Sequence, residues 1–207
     1  AEAEASDFPP DGVGARRFAG KIGNNHAGLE VAAAEIARAD RPAILVGLQV
    51  NRSGQEAEEA FVAFAERLGA PVFASLAAKG TLPENHPLSM RTFRGAPSEK
   101  EILDKADLLI LVGFDVVELF TPGHWNHPQP VVMLDEVAHN DDVIRPKVEV
   151  VADLADSLSA LAESVPASEG WNLEDLDSYR AMRSAPLFSK GEGLMPGAVV
   201  RIARECL

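Results

Sequence analysis

Five short apolar runs recur along the chain, and they are continuous rather than alternating. They are AILVG (43–47), PVFAS (71–75), ADLLILVG (106–113), PVVMLDE (130–136) and KVEVVAD (147–153). A strand with one wet face alternates apolar and polar residues; a run that is apolar throughout needs cover on both faces. Helical patterns fall between the runs. Leu29, Ala32, Ala33 and Ile36 repeat at helical spacing. From 55 to 68, Ala57, Ala60, Phe61, Phe64, Ala65 and Leu68 form one stripe, and Gly69 suits a C-terminal cap. Ser98 and Glu101 have capping-box spacing for a helix over 98–105, and Asp153 opens a last helix to about 163. Strands alternating with helices predict an α/β domain over 28–165, with a doubly wound, mostly parallel sheet of five to six strands.

The flanks read differently. Residues 1–27, with FPPDGVG and GKIGNN, are dense in Pro, Gly and Asn and read as a linker. Residues 76–98 read as one long loop, because three prolines and two glycines oppose regular structure. Past Val165 the sequence is polar and irregular. LMPGAVVRIARECL then resembles the opening of a helix, so 166–207 is expected to be a linker and the threshold of a further domain.

With 207 residues, 46% of them hydrophobic, the chain can bury a full core. No apolar run approaches the roughly 18 residues that suggest a membrane helix. The first residues lack the basic and apolar regions of a secretory signal. Cys206 is the only cysteine, which excludes a disulfide framework or a thiolate metal site within one chain and fits a reducing cytoplasm. A formal charge of −13 argues against nucleic acid and reads as a solubilising surface.

In an open parallel sheet, ligands sit beyond the carboxyl ends of the strands. Candidate binding residues are therefore Gly47 and Leu48 after the first run, Ser75, Lys79, Gly80 and Thr81 after the second, Gly113, Phe114 and Asp115 after the third, Asp135 and Glu136 at the end of the fourth and Asp153 at the end of the fifth. GLQVNRSG is not a dinucleotide fingerprint, since Gln49 and Arg52 stand where glycines are needed, and no Gly-Lys-Ser/Thr makes it a P-loop. Gly47 then either borders a ligand or only lets the chain turn tightly. Arg52 and Lys79 are each a phosphate contact or a plain surface cation. Asp135 is a ribose acceptor or a turn cap, and Asp153 has the position of a helix cap. His124 and His127 form an H-x-x-H pair, but Pro122, Gly123 and Pro128 make the segment a loop, which does not aim metal ligands; Trp125 beside them suits a domain or subunit contact. No catalytic set can be assembled, so neither catalytic nor metal residues are assigned.

Several segments, in order and spacing, resemble the central domain of thiamine-diphosphate-dependent enzymes of the acetolactate synthase and benzoylformate decarboxylase group. They are AAAEIARADRPAILVG, FAERLGAPVFASLAAKGTLPENHPL, LDKADLLILVGFD, VVMLDE and VEVVADLADSLSAL. The resemblance covers about 28–165 and implies a Rossmann-like fold of the DHS-like NAD/FAD-binding type. It also implies thiamine diphosphate and magnesium in the parent, held by an N-terminal and a C-terminal domain at a dimer interface. This chain would be the middle domain, inactive by itself, in a homodimeric or homotetrameric lyase or transferase acting on 2-oxoacids.

In some relatives the middle domain binds FAD or ADP along the strand ends, and the matching positions here are Gly47, Lys79, Gly80, Thr81, Gly113, Asp135 and Asp153. FAD-binding members have a Gly-rich segment where this chain has SMRTFRGAP, and an Arg-Phe-Asp-Asp-Arg run where it has FDVVELF. The resemblance therefore implies a structural domain with no nucleotide. The alternative is a self-standing FAD, ADP or NAD module like those of deacetylases and electron-transfer flavoproteins, because fold alone does not fix function.

Overall fold

A computed structural model describes residues 25–95, 97–119, 125–139, 142–184 and 196–206. The expected 1–27 linker falls almost wholly outside these residues. The elements in chain order are α1 (His26–Arg38), β1 (Pro42–Val46), α2 (Leu48–Arg52), α3 (Gln55–Leu68), β2 (Val72–Ala74), β3 (Ser89–Thr92) and α4 (Pro97–Leu103). They continue with β4 (Leu108–Val112), β5 (Val131–Asp135), β6 (Val148–Val151), α5 (Leu154–Ser164), α6 (Leu173–Ser184) and α7 (Pro196–Cys206).

The six strands form one sheet in the order β3-β2-β1-β4-β5-β6, and every pairing is parallel. The chain winds outward from β1 to one edge, crosses back through α4, and winds outward again from β4. Every residue of β1, β4 and β5 is buried, as their unbroken apolar runs require. This is the doubly wound, Rossmann-like order, and its direction reverses between β1 and β4.

Local signals explain the helices on the sheet. Asn25 caps α1, accepting from Gly28 N–H at 3.0 Å, and Leu29, Ala32 and Ile36 are buried. The six-residue stripe of α3 is buried as the spacing predicts. Gly69 ends α3 in the left-handed region at φ +68°, its N–H bonded to Ala65 O at 2.9 Å. Asp153 caps α5 by accepting from Asp156 N–H at 3.0 Å. Helix α4 begins at Pro97, so Ser98 is its second residue and not its cap; proline suits a first helical position.

Three elements depart from the sequence reading. The loop after β1 contains the single turn α2. The 76–98 loop contains β3, a four-residue edge strand. The polar stretch after Val165 contains α6, which buries only Leu176 and Tyr179 completely enough to join the core. Helix α6 is fixed instead by directed polar bonds. Arg183 donates to Met90 O at 3.1 Å, Thr92 O at 3.2 Å and Glu99 Oε1 at 3.1 Å, and Arg180 donates to His86 O at 2.6 Å. Carbonyls of the β3 edge are thereby covered, which protects an edge strand from pairing with another chain. Tyr179 packs edge-to-face on Phe73 at 6.3 Å, and burial pushes its phenol up to about 12. Upstream, Ser168 N–H bonds Leu68 O at 2.8 Å and Trp171 Nε1 bonds Pro42 O at 2.7 Å, so the chain is tied down before α6 begins.

The Arg183–Glu99 pair yields a stability test. Glu99 is 1% exposed and also accepts from Arg94 N–H at 2.9 Å. Arg183→Ala removes one charged donor from that carboxylate, which keeps the Arg94 N–H, and is expected to cost about 1–3 kcal/mol in urea unfolding. The double variant Arg183→Met/Glu99→Gln is expected to recover part of this loss.

Candidate functional site

The reversal between β1 and β4 is where this fold places a ligand. Here the two turns interlock. A Cβ on Gly47 would lie 2.1 Å from Gly113 O and 2.4 Å from Phe114 Cα, so only glycine fits. Gly113 has φ +57°, and a Cβ there would lie 2.9 Å from Val50 N. Gly47 N–H bonds Val112 O at 2.9 Å, and Gln49 N–H bonds Gly113 O at 3.1 Å. The glycines bring backbone against backbone.

A carboxylate from the chain itself completes the joint. After β4, Val116–Glu118 forms a 3-10 turn capped at Asp115, whose Oδ1 accepts from Val117 N–H at 3.0 Å. Glu118 Oε1 accepts from Asp115 N–H at 3.1 Å, closing a capping box. Glu118 Oε2 also accepts from Leu48 N–H at 2.9 Å, at the start of α2, and from the Ser75 hydroxyl. Ser75 is fully buried at the end of β2 and accepts from Ala78 N–H at 3.0 Å. Glu118 thus ties together the carboxyl ends of β1, β2 and β4. The sequence reading did not assign it, although D-x-x-E spacing at 115–118 was a visible signal.

Asp135, at the end of β5, is 5% exposed. Its Oδ1 accepts from Glu136 N–H at 2.6 Å and Val137 N–H at 3.3 Å, and its Oδ2 lies 3.1 Å from His139 Nε2. Burial raises its pKa, against the opposing pull of the His139 hydrogen bond. Glu136 accepts from Gln49 Nε2 at 3.0 Å and Leu154 N–H at 3.5 Å, joining α2 to the start of α5. The carboxylates on this edge are bound to the chain's own donors. A phosphate charge placed about 4 Å from one of them would meet about 4 kcal/mol of repulsion at an effective dielectric of about 20.

The other candidates are dispersed. The Thr81 hydroxyl is buried, 2.8 Å from both Asn51 Oδ1 and Ala78 O, and donates to one at a time. Asn51 in turn donates to Glu58 at 2.7 Å. Lys79 makes an exposed ion pair with Glu84 at 2.9 Å, and Gly80 stands at φ +106° in open space. Asp153 is engaged as the α5 cap. The sheet therefore gathers Gly47, Gly113 and Asp135 along one edge, joins Thr81 to α2, and leaves Lys79 facing outward. His124 lies outside the described residues. His127 packs between Trp125, at 4.7 Å, and Phe93, at 5.9 Å. Burial and the nearby Lys100 lower its pKa. Trp125 packs against this chain's own core. Among the described residues no three His, Cys, Asp or Glu side chains converge to hold a metal.

Asp135 provides a pH test. Its folded pKa is raised above the reference 3.8, so the fold favours the neutral acid. Its stabilising contribution is fully present below that value and is withdrawn as pH rises through the folded value. Asp135→Asn, which keeps the acceptor for the turn, is expected to be at least as stable as wild type at pH 7. That advantage should vanish on acidification, as followed by urea midpoints across pH.

The family model described as thiamine pyrophosphate enzyme, central domain, matches residues 29–161. Acetolactate synthase large subunit of Corynebacterium glutamicum is 32% identical over 161 residues, covering 73% of this chain and 24% of that protein. Pyruvate decarboxylase 1 of Pisum sativum is 38% identical over 97 residues, covering 44% of this chain and 16% of that protein. A solved structure from Mycobacterium smegmatis, described as a thiamin diphosphate-dependent enzyme, superposes with TM-score 0.61 at 26% identity, covering 72% of this chain and 29% of that one. The chain thus spans about a quarter or less of the length of these curated relatives. It belongs to the thiamine pyrophosphate enzyme family, and residues 29–161 are a central domain of that family.

Proposed function

We propose that this domain is an architectural spacer that holds no nucleotide. It sets the distance between the two cofactor-binding domains of a 2-oxoacid lyase or acyltransferase of the acetolactate synthase kind. One observation carries the reading: Glu118 occupies the donors at the β1/β4 reversal, namely Leu48 N–H and the Ser75 hydroxyl. Sheets of this strand order bind ligands at such a reversal, and here the chain's own carboxylate takes the donors. FAD and ADP therefore do not fit the residues present. Gly47 and Gly113 serve close packing, Asp135 and Asp153 serve caps, and Thr81 serves the β2–α2 joint. Lys79 and Gly80 take no ligand.

Thiamine diphosphate and magnesium belong to the other domains of the parent, and the described residues supply no cluster for the metal. When bound, that cofactor supplies a carbanion that adds to the substrate's carbonyl. This domain contributes spacing and a rigid wall. No helix among the described residues is long and apolar enough to cross a membrane. We place the parent in the cytoplasm as a homodimer or homotetramer, the exposed free thiol of Cys206 fitting a reducing compartment.

Calorimetric titration with FAD, ADP and NAD tests the reading. No heat of binding is expected up to millimolar ligand, and micromolar binding of any of them would overturn it. Glu118→Ala is expected to lower stability by about 1–3 kcal/mol, since buried donors lose a charged acceptor. The chain mixed with thiamine diphosphate, magnesium and pyruvate is expected to show neither turnover nor a thermal shift.

A further inference from the structure

Three unusual features coincide at the β3 edge of the sheet, which β2 separates from β1. Arg91 stands at φ +67°, and among the described residues no other non-glycine residue has a positive φ. It lies where the β2–β3 register shifts. A residue with a Cβ is held in this region only when its surroundings impose it, and such outliers gather at ligand clamps. Second, Arg91 Nε is buried without a hydrogen-bond partner, and the guanidinium makes no ion pair among the described residues. An arginine stays charged, so a buried N–H of this kind lacks an acceptor it strongly favours.

Third, Arg91 lines a cleft of about 360 Å³ with Glu84, Asn85, Asp177, Arg180 and Ala181. The cleft lies between the β2–β3 connection and α6. Its other charges are matched. Glu84 pairs with Lys79 at 2.9 Å, and Arg180 bonds both Asp177 and the His86 carbonyl. Arg91 is the cation of this wall that remains without a counter-charge.

We propose that this cleft binds a small organic monocarboxylate, whose two oxygens take the Arg91 guanidinium. A planar carboxylate matches the guanidinium fork. The volume is at the small end for ligand sites. Glu84 and Asp177 in the wall disfavour a second negative charge, which selects a monoanion over phosphate dianion. Because α6 forms one wall, the ligand also braces α6 against β3. The site is separate from the β1/β4 reversal and does not rest on the absence of a nucleotide there.

The test titrates the 207-residue chain with isobutyrate at constant ionic strength. Calorimetry and the Arg91 Nε–H resonance follow binding, with isobutyramide and inorganic phosphate in parallel arms. Isobutyrate is expected to saturate, isobutyramide to do nothing and phosphate to bind more weakly. Arg91→Gly suits the backbone at φ +67°. It is expected to fold with an unchanged circular dichroism spectrum and an equal or higher Tm, while losing at least about tenfold in isobutyrate affinity. Failure of isobutyrate to saturate, equal binding of isobutyramide, tighter binding of phosphate, or unchanged affinity in Arg91→Gly would each overturn the proposal.

Discussion

The contact between Gly47 and Gly113 governs the carboxyl edge of the sheet. With a Cβ position on Gly47 only 2.1 Å from Gly113 O, the two turns touch through backbone alone. That closeness lets Gly47 and Gln49 donate across to the β4 turn and fixes where α2 starts. Once α2 is placed, Gln49 reaches Glu136, Asn51 reaches Glu58 and Thr81, and Leu48 presents its N–H to Glu118. One steric constraint thus sets a polar network spanning β1, β2, β4 and β5. Any side chain at position 47 would push the turns apart and break several of these bonds at once, since such contacts are not additive.

The same network shows how a nucleotide-shaped fold becomes a joint. The architecture supplies buried donors at strand ends, and these must be satisfied by something. A bound phosphate is one solution. An internal carboxylate on the next loop is another, and it is always at hand because it is covalently tethered. Glu118, Glu136 and Asp135 take this role here, in a chain whose net charge is already −13. The shared fold and the retained function are therefore separate questions, and the donors' partners decide between them.

How far the sequence revealed this follows from the range of each determinant. The buried strands, the α3 stripe, the Gly69 cap and the Asp153 cap were legible because their causes lie within a few residues. Asp135 and Gly47 were identified as special positions, but their partners, His139 and Gly113, are fixed by folding. Strand β3 and helix α6 were not legible. Four residues at a sheet edge leave almost no periodic trace, and α6 is secured by Arg180 and Arg183 bonding carbonyls more than 90 positions away. Helix α2 was hidden because a single turn looks like any polar loop. Glu118 was visible only as one half of a capping box, a purely local signal that says nothing about Ser75 or Leu48.

The two edges of the sheet differ in how their polar groups are satisfied, and that difference locates the remaining chemistry. At the β1/β4 reversal the carboxylates meet internal donors, and the left-handed position is held by Gly113, which adopts it without strain. At the β3 edge a bulky residue occupies the left-handed region with a buried N–H unmatched. Folding alone would favour glycine at position 91, because it removes both the backbone strain and the unmatched N–H. Both costs fall on a residue that lines a cleft, and such local conflicts gather at functional sites. The β1/β4 crevice has its donors matched internally, whereas the unmatched N–H lies at the sheet edge beside α6.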